Sequence, residues 1–227
     1  MNPQEPPAIS RANIESLEKA VPLIEGIKGL FNLDLFIKLG NVEYIQGNPQ
    51  KALTYYTEVL EQAQSIGDLK RSAICLGNIG LVYKRKGDLD TTLKYHENAL
   101  SIFRDIGYKE EEANSLGNIG NVYYDLGDLD TALRYYEDAL NIFRDIGYKQ
   151  GEAMALGNIG TVYMGKGDLD TALRYYEDAL KIDRDIGYKQ GEATQLSNIG
   201  TVYYDLGDSD TALRYYEESD RLKDEVG

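Results

Sequence analysis

Residues 107–146 read GYKEEEANSLGNIGNVYYDLGDLDTALRYYEDALNIFRDI, and residues 147–186 keep 30 of those 40 letters in the same places. Outward from that pair the phrase LGNIG begins at Leu76, Leu116 and Leu156 and returns as LSNIG at Leu196, always 40 residues apart. GD-x-D-T begins at Gly87, Gly127, Gly167 and Gly207, and IGYK at Ile106, Ile146 and Ile186. A worn copy precedes them, with Gly40, Val42, Gly47, Ala52, Leu53, Tyr55, Leu60 and Ile66-Gly67 at matching places. Self-similarity at a fixed period marks a repeat architecture. Five copies are expected, at about 29–68, 69–108, 109–148, 149–188 and 189–227.

Each copy reads as two helices. In the third, Ala113, Leu116, Gly117, Gly120, Val122 and Tyr123 recur at helical spacing over residues 109–126. Gly127 stops that helix, and Asp128 or Asp130 is placed to cap the next one at its positive end. Over about 129–145, Leu129, Ala132, Leu133, Tyr136, Ala139, Leu140 and Phe143 form one apolar stripe. Gly147 supplies the left-handed residue that closes it. Small residues at Gly120, Ala132 and Ala139 let the two helices approach, and Tyr123 and Tyr136 fill the gaps. One copy cannot bury its own stripe, so copies must stack. The fold class is an all-α solenoid.

The order Leu116, Gly120, Tyr123, Ala132, Tyr136, Ala139, repeated as Leu156, Gly160, Tyr163, Ala172, Tyr176, Ala179, resembles the tetratricopeptide (TPR) signature. The usual proline after the second helix is replaced by the IGYK bend. The 40-residue period with its Gly-Asn phrase is similar to the Pins-type polarity adaptors and to related bacterial and archaeal TPR proteins. The resemblance implies a right-handed superhelical solenoid whose first helices line a concave groove. For function it implies peptide or protein binding and nothing narrower.

The flanks read differently. Residues 1–9 carry three prolines and are expected to be disordered. Residues 10–28 read as an N-terminal capping helix, broken or kinked at Pro22. In the fifth copy Ser219, Asp220 and Lys223 stand where the third has Ala139, Leu140 and Phe143, so the array is expected to end there.

Composition narrows the chemistry. Thirty-eight Asp and Glu against 24 Lys and Arg give a net charge of −14, which repels phosphate backbones and anionic lipids. Nucleic acid and membrane surfaces are therefore not expected as partners. No apolar run reaches the ~18 residues of a membrane span, and MNPQEPPAIS lacks the features of a secretory leader. The expected location is cytoplasmic. The lone cysteine, Cys75, has no partner for an internal disulfide and falls at a small helix-packing position. The lone histidine, His96, occupies the slot of Tyr136, Tyr176 and Tyr216 and reads as a packed ring. Gly-Asn-Ile-Gly lacks the Gly-Lys-Ser/Thr ending of a phosphate loop and lies inside a helix. Asp125, Asp128, Asp130 and Glu137 lack EF-hand spacing. No catalytic constellation, cofactor or metal is expected, so the protein is read as not an enzyme.

The ten differences between copies three and four are the functional signal. Eight lie in or just before the first helix: Glu110/Gln150, Glu111/Gly151, Asn114/Met154, Ser115/Ala155, Asn121/Thr161, Tyr124/Met164, Asp125/Gly165 and Leu126/Lys166. Positions 110, 114, 121, 124 and 125 fall within an arc of about 100° on a helical wheel. The second helix is unchanged from Leu129 through Leu140. This pattern suits a groove that presents different side chains to successive parts of an extended ligand, although exposed positions also drift freely.

The candidate groove residues follow. Asn78, Asn118, Asn158 and Asn198 form a ladder that can hold a peptide backbone, or can bond to the neighbouring helix and support the stack. One turn on stand Asn41, Asn121, Thr161 and Thr201, then Tyr44, Tyr124, Met164 and Tyr204, adaptable contacts that serve a ligand or helix packing equally. Only residues 67–106 are net basic, at +2, against −6 for 107–146. Lys38, Lys70, Lys84 and Arg85 are therefore a candidate basic anchor for an acidic or carboxylate group, or else a solvated cluster. Asp125, Asp205 and Glu110 would favour basic or polar ligand groups. The expected function is a scaffold or adaptor binding an extended peptide segment of a partner protein. The alternatives are a self-associating structural protein and a regulatory subunit acting on a neighbouring kinase, transcription factor or NTPase.

Overall fold

The computed structural model describes residues 32–226, and these form ten α-helices and no strand. They are α1 (Leu33–Ile45), α2 (Pro49–Ile66), α3 (Leu69–Arg85), α4 (Leu89–Asp105), α5 (Lys109–Asp125), α6 (Leu129–Asp145), α7 (Lys149–Gly165), α8 (Leu169–Asp185), α9 (Lys189–Asp205) and α10 (Ser209–Val226). The disorder expected at 1–9 and the capping helix expected at 10–28 fall outside the described residues. The chain divides into two compact units, Met1–Ile106 and Gly107–Gly227. The first holds α1 to α4 and the second α5 to α10.

Helices pair in sequence, odd with even, across three-residue turns that local chemistry dictates. Gly127, at φ +80°, reverses the chain after α5 at no steric cost. The carboxylate of Asp128 then accepts a hydrogen bond from the amide of Thr131 at 3.1 Å and caps α6, which selects Asp128 over Asp130. Asp88, Asp168 and Asp208 repeat that cap on α4, α8 and α10. The Thr131 hydroxyl, together with its amide, holds the Asp128 carboxyl below the usual carboxylate range. Gly147, at φ +71°, closes α6 as its sequence position predicts.

Within four of the five pairs a glycine meets a tyrosine, and in α3–α4 Gly80 meets His96. A methyl group on Gly120 would stand 2.7 Å from the Tyr136 ring, and one on Gly160 would stand 2.8 Å from that of Tyr176. The missing side chain lets the buried ring lie flat on the first helix, and its hydroxyl emerges on the far side. In α5 it donates to Asn121 Oδ1 at 2.7 Å. Burial pushes the Tyr136 phenol above its ordinary value, so it remains a protonated donor. Tyr123, by contrast, stacks on Tyr135 at 5.5 Å with planes 10° apart, half-buried.

Successive pairs then pack α2 on α3 in the first unit, and α6 on α7 and α8 on α9 in the second. At the α6–α7 junction buried Phe143 faces Gly151, where a methyl would stand 2.4 Å from the ring. Beside it Glu152 is buried but accepts from Arg144 Nε at 2.9 Å and Lys149 Nζ at 2.7 Å. Burial opposes the Glu152 charge, and these two bonds outweigh it, leaving its carboxyl below the usual value. A buried charge is tolerable only when paired in this way.

Candidate peptide-binding face

In the second unit α5, α7 and α9 are successive neighbours, and in the first α1 touches α3. The residues expected in the groove sit along these first helices, but the structure gives them different roles.

Asn41, Asn121, Thr161 and Thr201 each spend an oxygen on a buried tyrosine hydroxyl. Asn41 accepts from Tyr56 at 2.7 Å, Thr161 meets Tyr176 at 3.0 Å, and Thr201 accepts from Tyr216 at 3.1 Å. Thr161 is only 8% exposed and also donates to the carbonyl of Gly157, so its hydroxyl serves the fold. The Asn ladder divides. Asn78 donates to Asn41 Oδ1 at 3.3 Å and Asn198 to Gln195 Oε1 at 3.4 Å, so both tie into the stack. Asn118 and Asn158 are half-buried, and neither amide bonds to another group among the described residues.

The aromatic row grades from covered to open. Tyr44 is half-buried, Met164 packs against the core around Tyr176, and Tyr204 is 62% exposed. Tyr124 is half-buried, with its ring close to Gly165.

The four basic residues do not form one cluster. Lys38 and Lys70 are exposed and both lie within the field of Asp34. Lys84 is at the other end of α3, about 21 Å along the axis from Lys70 at 1.5 Å per residue. Arg85 donates to the carbonyl of Tyr44 at 2.7 Å and its guanidinium lies 5.3 Å from that ring's centroid. It thus ties α3 to the C-terminal end of α1. Arg71, not singled out by the sequence, bridges Asp34 at 2.8 Å and Asp68.

Two buried polar residues break the pattern. His96 takes the tyrosine slot in the second copy, 1% exposed, with neither ring nitrogen hydrogen-bonded. Its counterpart across the pair is Leu81, where other copies carry Asn or Thr. Burial, with the Lys84 charge adding to it, lowers the His96 pKa to about 4. Asp183 takes the Phe143 slot, also 1% exposed, with Oδ2 unpartnered. Burial raises its carboxyl to about 7, with the nearby Gln195 side chain acting against that rise. Cys75 is buried, and burial raises its thiol to about 12, which leaves it an inert packing residue at neutral pH. Among the described residues no His/Cys/Asp/Glu group could hold a metal ion, and no helix is long and apolar enough to cross a membrane.

The tetratricopeptide repeat family model matches residues 31–91, 71–145 and 151–223, so the chain belongs to that family. No curated protein matches it in sequence. Among solved structures it is similar to BtubC from P. vanneervenii, at 23% identity and TM-score 0.73, over 94% of this chain and 89% of that one. A Rap protein complexed with Competence and Sporulation Factor matches at 20% identity and TM-score 0.82, over 94% of this chain and 59% of that one. The Rap conjugation gene regulator of plasmid pLS20, in complex with the Phr* peptide, matches at 24% and 0.74, over 98% and 60%. This chain therefore spans about six-tenths of the two Rap structures. At these identities the likeness shows the fold alone, an all-α helical repeat solenoid.

Proposed function

We propose that the chain is a non-enzymatic scaffold that binds an extended peptide segment of a partner protein along its first-helix face. The observation that carries this reading is the availability of Asn118 and Asn158, half-exposed amides left unbonded where copies three and four otherwise differ most. An unpaired amide can donate to and accept from a peptide backbone without demanding a side-chain sequence. Tyr124, Met164 and Tyr204 supply apolar contacts beside them. Glu110, Asp125 and Asp205 favour basic ligand groups over the second unit, and Lys38 with Lys70 favour an acidic one over the first. Two structurally similar Rap proteins were crystallised with Competence and Sporulation Factor and with the Phr* peptide, which supports a peptide ligand. The second of these is a gene regulator by name, which gives some support to a regulatory role here.

Photocrosslinking tests the proposal. A benzophenone side chain placed at Asn118 or Asn158 is expected to trap a partner from the source lysate. The same group at Asp138 or Asp178 on the second helices is expected to trap nothing. Crosslinks from the second helices alone would overturn the reading.

A further inference from the structure

The second helices of copies three and four differ at Asn141/Lys181 and Phe143/Asp183. The first of these changes falls on a cavity. A space of about 310 Å3 is lined by Glu177, Leu180, Lys181, Arg184 and Asp185 of α8, Ile199 of α9 and Tyr215 of α10. That volume is at the lower end of the roughly 300–1,000 Å3 that small-molecule sites occupy. All three helices belong to the second unit, so the cavity lies within one compact body.

The walls are apolar and held in place. Leu180 and Ile199 are buried. Tyr215 is half-buried, and its ring stacks on Tyr203 with centroids 5.5 Å apart and planes 8° apart. Arg184 is already committed: its Nε donates to Glu192 at 2.8 Å and its Nη2 to Glu218 at 2.9 Å, which clasps α8 to α10 beside the cavity. The mouth is different. Lys181 is exposed, with exposed Glu177 one helical turn before it and Asp185 one turn after. None of the three bonds to another side chain among the described residues. The sister stretch between α6 and α8 keeps the counterpart of every other lining residue, but has Asn141 in place of Lys181 and Asp178 in place of Glu218. Copy four has therefore gained a cation at the mouth and a clasp across it.

We propose that this cavity binds a free aromatic α-amino acid, at a site separate from the first-helix face. Apolar walls that include a fixed tyrosine ring take an aromatic side chain, which is stabilised by burial of its area and by packing on Tyr215. One cation between two acids suits an ammonium and a carboxylate borne on a single carbon. Glu177 and Asp185 draw the ammonium, and Lys181 draws the carboxylate. A simple carboxylate meets two acids beside its one base, and a simple amine meets Lys181. Each half of the zwitterion therefore offsets the repulsion that the other suffers alone. A residue inside a peptide carries neither charge on its backbone, which separates this ligand from the extended segment proposed above. The inference does not depend on that proposal.

Calorimetric titration of the full chain with L-phenylalanine tests the site, and one molecule is expected to bind per chain. Phenethylamine, which lacks the carboxylate, and N-acetyl-L-phenylalanine, which lacks the ammonium, should each bind about tenfold more weakly. Lys181→Asn, which installs the sister residue at an exposed position, should weaken L-phenylalanine about tenfold and leave phenethylamine no weaker. Glu177→Gln should weaken L-phenylalanine and leave N-acetyl-L-phenylalanine no weaker. Unchanged L-phenylalanine affinity in Lys181→Asn would overturn the proposal, as would phenethylamine binding as tightly as L-phenylalanine. No binding of L-phenylalanine, L-tyrosine or L-tryptophan at millimolar concentration would overturn it as well. No peptide enters the measurement, so its failure is distinct from failure of the peptide-binding reading.

Discussion

His96 in the first unit and Asp183 in the second are the same kind of event with opposite signs. Each is a titratable side chain set into a slot that sister copies fill with an aromatic ring, and each is 1% exposed. The histidine lost its polar partner when the facing position became Leu81, and it stays neutral because nothing nearby welcomes its proton. Burial keeps the aspartate protonated to about pH 7, although the Gln195 side chain acts against it. The contrast shows that near-identical repeats can carry the same packing and yet respond to pH in opposite directions. A slot's chemistry depends on a neighbour on another helix, more than ten residues away in sequence.

The largest expected effect breaks the Asp183 half. Asp183 keeps its proton in the folded chain to about pH 7 against 3.8 unfolded. Its stabilising contribution is therefore complete below about pH 4 and is lost as the pH rises through 7. Restoring the sister junction with Asp183→Phe and Gln195→Ala should remove that slope. Melts from pH 4 to 8 should show the double variant gaining on the wild type by about 4 kcal/mol over the interval. A constant difference between the two would show that Asp183 titrates alike in both states.

The His96 half is expected to run the other way, and slightly less strongly. Its folded pKa of about 4 lies below the ordinary 6.5, so its stability is present above 6.5 and is lost as the pH falls toward 4. Against His96→Tyr with Leu81→Asn, which rebuilds the Tyr136–Asn121 pair, the wild type should lose about 3 kcal/mol between those values. His96→Tyr alone leaves a buried hydroxyl without an acceptor and should cost about 1–3 kcal/mol relative to the double variant.

Glycine substitutions sharpen the comparison within one helix. Gly120→Ala drives a methyl into Tyr136 and should cost about 1–3 kcal/mol. Gly117→Ala, with nothing within 4 Å of the added atom, should be stabilising by about 0.5–1 kcal/mol. Equal melting temperatures would remove the packing account of the Gly–Tyr pair. The smallest effect belongs to Asn118→Ala with Asn158→Ala. Unbonded amides contribute little to folding, so the melt should stay within about 0.5 kcal/mol while binding of the partner identified by crosslinking is lost.

How much of this was legible follows from which residues act locally. Gly127, Gly147 and the Asp128 cap were readable because a turn glycine and a cap act within a few residues of themselves. The packing of Gly120 against Tyr136 was readable because the period repeats it. Arg85 was misleading: a cation near the candidate face was weighed for a ligand, and the structure turns it onto Tyr44. The position of Thr161 suggested a ligand contact, but its hydroxyl is engaged by Tyr176. In the sequence Asp183 is a polar residue in the Phe143 slot, and it weakens Lys223 as a mark of the array's end. Its signal was the paired change at Gln195, visible only once the two positions are known to touch.

By itself the sequence determined the all-α repeat, its helix pairs and their turns, because a 40-residue period, apolar stripes and left-handed glycines are properties of neighbouring residues. Only the tertiary structure decided which polar side chains are spent inside the stack and which stay unbonded. That decision rests on distances between helices, where a hydroxyl 3.0 Å from Thr161 and an amide 3.4 Å from Gln195 settle roles that residue type leaves open.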